Sequence, residues 1–194
     1  LKSNLVNIKK NINSASINSN KIKNKSIFVG IKGKKYDGNK FGNSALKNGA
    51  LLSITNKKKH SPKTIFRKDP LKYFHKISSI FRKSSDTNII SITGSSGKTS
   101  VKELTGFCLN KFAKTYFSKK SFNNKYGVPL SIFNTPEQSK FAVLEVGMNK
   151  KGEINSLTKL IRPDIGLITN ISYAHIQNFK NLNQIAKTKG EIIA

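Results

Sequence analysis

The sequence predicts an α/β protein in two parts: a small N-terminal α/β domain over residues 1–85, and over 86–194 a mainly parallel sheet covered on both faces by helices. Three observations predict it. Short apolar runs alternate with helical periodicity along most of the chain. Residues 88–100, Asn-Ile-Ile-Ser-Ile-Thr-Gly-Ser-Ser-Gly-Lys-Thr-Ser, pass from an apolar strand through a glycine turn into a helix. The polar link Ser84-Ser85-Asp86 separates a segment of formal charge +19 from one of +8.

The elements follow in order. Residues 1–25 are rich in Asn, Lys and Ser with isolated Ile and Leu, and their early part is expected to be poorly ordered. Ser26-Ile-Phe-Val-Gly-Ile31 reads as a strand. A turn-rich loop with Asp37-Gly38 leads to a short helix over 41–48 that stops at Gly49. Strands are expected over 50–54 and 64–67, with Lys57-Lys58-Lys59 as a solvated loop between them. Asp69-Pro70 supplies a cap and a first helical residue, and Leu71, Phe74, Ile77 and Phe81 then share one face. After the strand ending at Thr93, a helix from Lys98 to about Phe112 is expected to turn Val101, Leu104, Cys108 and Leu109 inward. Strands at 114–117, 141–146 and 164–169 alternate with helices at 127–133, 153–160 and from Asn181 onward.

Composition bounds the function. The chain has 194 residues and a formal charge of +27. Such a charge invites nucleic acid, but only three residues are arginine (Arg67, Arg82, Arg162), the side chain suited to bidentate base readout. Abundant Lys, Asn and Ile point instead to a biased proteome, so no specific nucleic-acid partner is expected. The single Cys108 excludes an internal disulfide, reads as a core thiol and fits a reducing, cytoplasmic setting. No apolar run approaches the roughly 20 residues of a membrane span. The chain begins at Leu1 and stops inside a helical pattern at Ala194, which reads as a piece cut from a longer protein.

The chemistry gathers at residues 93–100. Gly94 and Gly97 allow several N–H groups to share one concave side, and the following helix adds its positive end. Thr93, Gly94, Ser95, Ser96, Gly97, Lys98, Thr99 and Ser100 are therefore candidates for binding a nucleotide phosphate. Lys98 is placed to reach the β- and γ-phosphates, and the Thr99 hydroxyl to hold Mg²⁺. The spacing is Thr-Gly-x-x-Gly-Lys-Thr, because a glycine five residues before Gly97 would fall on Ile92. The plain alternative is a serine-glycine turn that binds nothing. Glu145 ends an otherwise apolar strand, where a carboxylate is costly unless paired with a lysine or a metal. Asn170 ends the next strand and His175 follows in the loop; a neutral imidazole can ligate a metal, though a surface histidine is the commoner case. Lys189, on the final helix, reads by itself as solvated.

These residues together resemble the Mur ligase family. The resemblance is carried by Thr93-Gly-Ser-Ser-Gly-Lys-Thr-Ser-Val-Lys-Glu103, Asn123-Asn-Lys-Tyr-Gly-Val-Pro129, Glu145-Val-Gly-Met-Asn-Lys-Lys-Gly-Glu-Ile154, Arg162-Pro-Asp164, Thr169-Asn-Ile-x-x-Ala-His175 and Ala186-Lys-Thr-Lys-Gly-Glu191. In the first half, Phe28-Val-Gly-Ile-Lys-Gly33 and Tyr36-Asp-Gly38 resemble the family's domain for the uridine diphosphate of its substrate.

The resemblance implies a UDP-sugar domain over 1–85, a truncated ATP-binding domain over 86–194, and a C-terminal domain absent from this sequence. It implies a ligase that phosphorylates the carboxylate of a UDP-N-acetylmuramoyl tripeptide with ATP and joins D-alanyl-D-alanine to it. A sibling ligase adding another amino acid and a basic nucleic-acid-binding module are the alternatives. ATP and Mg²⁺ are the implied cofactors, with Lys98, Glu145, His175 and Lys189 catalytic. Thr99 and Glu145 would hold one Mg²⁺ and His175 a second. Lys189, fourteen residues after His175, stands where these ligases carry a lysine carbamylated by CO₂. Ser19, Lys32 and Asn170 would contact the substrate, and either Asn123 or Asn124 the muramoyl substrate or a metal-bound water. Where the family usually has Ser-Arg and Asp-Gly-His, this chain has Ser19-Asn20 and Asp37-Gly38-Asn39, both of which bear on UDP-sugar affinity. A cytoplasmic monomer is expected, and a chain of this length should not ligate by itself.

Overall fold

The structure, a computed structural model, describes residues 12–33, 35–57, 61–118, 121–174 and 176–193. Residues 1–11, Lys58, Lys59, His175 and Ala194, on which several sequence expectations fall, lie outside the described residues. The chain divides into two compact units, the first ending at Phe81 and the second beginning at Arg82.

The first unit is built on a four-stranded parallel sheet in the order β1-β2-β3-β4, with β1 Ser14–Ser16, β2 Ser26–Val29, β3 Leu52–Thr55 and β4 Thr64–Phe66. The helix expected over 41–48 is two elements: a 3-10 turn over Gly38–Phe41 and α1, Gly42–Lys47. Helix α1 lies close on the sheet, since a Cβ at Gly42 would come within 2.8 Å of Ser53 Oγ. Phe28, Ala45 and Ala50 form the core beneath it. The Asp37-Gly38-Asn39 turn is tied together by its side chains. Asp37 Oδ1 accepts from the Asn39 backbone N–H (3.0 Å) and from Asn39 Nδ2 (2.7 Å), and Asn39 Oδ1 accepts from Asn56 N (2.8 Å). These Asn39 bonds hold the Asp37 carboxyl below its ordinary value. Helix α2, Pro70–Lys83, buries Phe74, Ile77 and Phe81 as its periodicity predicts, with Asp69 Oδ1 accepting from Lys72 N in its first turn.

The second unit holds another parallel sheet in the order β6-β7-β5-β8: β5 Asn88–Thr93, β6 Thr115–Phe117, β7 Phe141–Glu145 and β8 Ile165–Ile168. Between them run α3 Lys98–Asn110, α4 Gly127–Asn134, α5 Glu153–Ile161 and α6 Leu182–Gly190. One sheet face, Ile90, Ile92 and Val143, packs against Val101 and Leu109 of α3, together with Phe117 and Leu167. On the opposite face Gly166 leaves room for the chain after α6, for a Cβ there would stand 3.0 Å from the Ile192 carbonyl oxygen. The α/β architecture with parallel sheets is the one the alternating pattern predicts. Arg82 fixes the sheet's lower end. Its Nε donates to Ile161 O (2.7 Å) and a terminal nitrogen to Asp164 Oδ2 (2.9 Å), which also accepts from Ile89 N (2.7 Å).

Two expectations are corrected. Leu104 is 65% exposed and Cys108 is exposed, so neither faces inward. Helix α3 turns Lys102 and Gly106 to the interior instead. The cause is steric: Gly106 sits against Phe117, whose ring would lie 2.4 Å from a Cβ at that position. The buried Lys102 ammonium donates to the Ser118 carbonyl and pairs with Glu103 at 3.0 Å. An apolar-periodicity reading gives no weight to either residue. Strand β1 was also not expected; its only apolar residue is Ala15, and pairing with β2, not side-chain pattern, makes it a strand.

Candidate functional site

Strand β5 delivers the chain to the loop at Gly94, where Thr93 is fully buried and its hydroxyl finds no hydrogen-bond partner among the described residues. Gly94 has φ +155°, and a Cβ there would fall 1.8 Å from Thr169 Oγ1, so the end of β8 touches the loop where only glycine fits. Gly97, with φ +73°, makes the left-handed turn that starts α3. Lys98 is folded back over the loop, its Nζ donating to Gly94 O at 2.9 Å and Ser95 O at 3.4 Å. Ser100, in the first turn of α3, is exposed.

Glu145 ends β7, the neighbour of β5, directly opposite Ile92. Only 2% of it is exposed, and both carboxylate oxygens are engaged. Thr99 Oγ1 donates to Oε2 at 2.9 Å, and Asn123 Nδ2 donates to Oε1 at 2.8 Å. Ser121 Oγ lies 3.4 Å from Thr99 Oγ1. The carboxylate, two hydroxyls and the amide thus meet beside the Lys98-Thr99 helix start. The sequence reading named Glu145 and Thr99 but missed Ser121, which lies outside every motif it singled out.

The two neighbouring asparagines part ways. Asn123 faces Glu145, and its carbonyl accepts from Gly147 N at 2.7 Å. Asn124 is spent on the start of α4, where Oδ1 accepts from Tyr126 N (3.0 Å) and Gly127 N (3.1 Å). Asn170, beyond β8, bonds to the loop itself, its Oδ1 accepting from Ser95 N (3.1 Å) and Ser96 N (3.0 Å).

Lys189 lies on α6, 2% exposed, and among the described residues none bonds or pairs with its ammonium. Burial, with the Lys98 charge adding to it, lowers its pKa to about 8. The solvated lysine read from the sequence alone is therefore corrected, since α6 turns this face inward. Glu191 closes α6 onto α5, its two oxygens accepting from Gly152 N (3.1 Å) and Asn155 N (3.0 Å). In the first unit Ser19 is buried, with its carbonyl accepting from Asn48 Nδ2, while Lys32 is exposed. Among the described residues no group of three or more His, Cys, Asp or Glu gathers as a metal cluster.

A glycine loop between a central parallel strand and a Lys-Thr helix start, with a buried carboxylate on the next strand, defines a P-loop-type α/β protein. The profile of the Mur ligase middle domain matches residues 92–194, and the chain belongs to the Mur ligase family. It is 37% identical over 185 residues to the UDP-N-acetylmuramoyl-tripeptide–D-alanyl-D-alanine ligase of Buchnera aphidicola subsp. Baizongia pistaciae, covering 93% of this chain and 40% of that protein. The fold is similar to a crystal structure of MurF from Acinetobacter baumannii, with a TM-score of 0.84 at 25% identity over 98% of this chain and 45% of that one. It is also similar to MurF ligase from Thermotoga maritima in complex with ADP, with a TM-score of 0.81 at 31% identity over 93% of this chain and 42% of that one. The chain thus spans about two fifths of the length of the curated relatives it matches.

Proposed function

We propose that this chain is part of an ATP-dependent ligase of peptidoglycan precursor synthesis that adds D-alanyl-D-alanine to UDP-N-acetylmuramoyl tripeptide. The observation that carries the reading is Glu145, a buried carboxylate held at both oxygens against Thr99 of the glycine loop and Asn123. Likeness to proteins named for that ligation supports the choice of substrates.

The residues divide the work. The N–H groups of Gly97, Lys98, Thr99 and Ser100 stand at the entry to α3 and meet no acceptor among the described residues, which suits them to phosphate oxygens. Lys98 leaves Gly94 O for the β- and γ-phosphates, and Ser95 and Ser96 shape the turn. Thr99 Oγ1, Ser121 Oγ and Glu145 Oε2 are hard oxygen donors of the kind Mg²⁺ takes, and they would hold it with the phosphates. Bound there, Mg²⁺ would neutralise charge on the transferring phosphoryl group. The phosphoryl group passes to the tripeptide carboxylate, and the dipeptide amine then displaces phosphate. Asn123 holds Glu145 and faces the substrate. His175 would hold a second Mg²⁺.

Lys189 fits a carbamate. Its pKa, lowered to about 8, leaves about a tenth of it as free amine at pH 7, far more than an ordinary lysine, and the amine can add to CO₂ with loss of a proton. The product exchanges a buried cation, repelled by Lys98, for an anion near Lys98. In the first unit Ser19 and Lys32 would meet the UDP-sugar; Asn39, buried in its own turn, is directed to Asn56 rather than to a ligand. Among the described residues no helix is long and apolar enough to cross a membrane, and a cytoplasmic monomer is the proposed form.

The test is Mg²⁺-dependent ATP binding measured by calorimetry on the full-length protein. Lys98→Ala should weaken it at least tenfold, the loss of about one charge-assisted hydrogen bond. Equal affinity in the two proteins would remove the assignment.

A further inference from the structure

The loop at 94–97 is not free-standing. Asn170 Oδ1 accepts from both Ser95 N and Ser96 N, its Nδ2 donates to Ser96 Oγ at 2.7 Å, and its backbone carbonyl also accepts from Ser95 N at 3.1 Å. Thr169 Oγ1 donates to Ser96 O at 2.6 Å. Ser95 Oγ donates to Ser172 O at 2.9 Å, and Ser172 N donates back to Ser95 Oγ at 2.8 Å. Every one of these partners comes from the chain just beyond β8.

The bonds sort the loop's donors into two sets. The Ser95 and Ser96 amides are occupied by Asn170; the next four, Gly97 to Ser100, meet no acceptor among the described residues. A glycine loop left to itself has many shapes open to it, and a cradle that must be ordered at the moment of binding loses affinity to that ordering. An amide oxygen already seated on the near pair fixes the turn and directs the far set toward the incoming anion.

We propose that Asn170 is a positioning residue for the phosphate loop: by saturating the Ser95 and Ser96 amides it presets the cradle formed by Gly97 to Ser100. The proposal rests on the nucleotide-binding reading above. It differs from a substrate contact, because both ends of the Asn170 side chain are engaged within the protein.

Two measurements on the full-length protein test it. The first needs no nucleotide. Amide hydrogen exchange at Ser95 and Ser96 should be protected in the unliganded wild type, should lose that protection in Asn170→Ala, and should keep it in Asn170→Asp, which retains an acceptor oxygen. Unchanged protection in Asn170→Ala overturns the proposal, whether or not the protein binds ATP. The second is affinity. Asn170→Ala should bind ATP with Mg²⁺ roughly tenfold more weakly, about the worth of one to two hydrogen bonds, while its affinity for UDP-N-acetylmuramoyl tripeptide stays at the wild-type value. Loss of tripeptide affinity with ATP affinity intact would make Asn170 a substrate contact and overturn the proposal. A fall in both affinities together would mark a general loss of structure and overturn it equally. A wild type that binds no ATP would instead overturn the nucleotide reading, leaving the exchange result to decide the role of Asn170.

Discussion

Lys189 shows how much one buried charge weighs. With the pKa lowered to about 8 in the fold and near 10.4 in an unfolded chain, the native state holds fewer protons between those values. Stability should therefore be lowest below about pH 8, where the buried ammonium is charged, and should rise as pH climbs from 8 toward 10. Lys189→Met should abolish that rise and be more stable at pH 7 by on the order of 2 kcal/mol, at the expense of ligation. Thermal melts across pH 7–10 read both effects, and equal slopes in the two proteins would show that no amine with a lowered pKa titrates at position 189. Individual residues were legible in the sequence to the extent that their cost was visible there. Glu145 stands out because a carboxylate in an apolar strand needs a partner. Asn123 and Asn124 could not be told apart, since their roles depend on which one meets the Tyr126 and Gly127 amides. Lys189 carries no sign of burial until α6 is placed.

At the scale of elements, periodicity located most helices and strands within a residue or two, and failed on the inner face of α3. The reason is that α3 approaches the sheet through Gly106 rather than through a large apolar side chain. Gly106→Ala should therefore destabilise the protein by roughly 1–3 kcal/mol through overpacking on Phe117, despite alanine's better helix propensity. Gly190→Ala, where a Cβ meets open space, should be neutral or stabilising by up to about 1 kcal/mol. Denaturant unfolding of the two variants compares them directly; equal effects would mean that α3 yields to the added methyl. The strand β1 was missed for a related reason: Ser14-Ala15-Ser16 has no strand pattern of its own and takes its conformation from the ladder with β2.

For the whole molecule, the covering of about two fifths of the relatives' length carries its own expectation. Residues 1–194 supplied with ATP, Mg²⁺, UDP-N-acetylmuramoyl tripeptide and D-alanyl-D-alanine should give no pentapeptide product by mass spectrometry. Turnover of about 1 per second or faster would show that everything the reaction needs is already present. The strand order of the second unit has a consequence in time. Central strand β5 is synthesised first, while its two sheet neighbours, β7 and β8, follow only after α3, β6 and α4 have been made. A nascent chain therefore carries Ile89, Ile90 and Ile92 without a sheet partner for roughly 50 residues of elongation, several seconds at about 5–20 residues per second. During that interval no local hairpin can shelter them, because every neighbour is parallel and distant in sequence. The ribosome-bound intermediate, rather than the finished protein, is where this sequence is most exposed to aggregation and most in need of a chaperone.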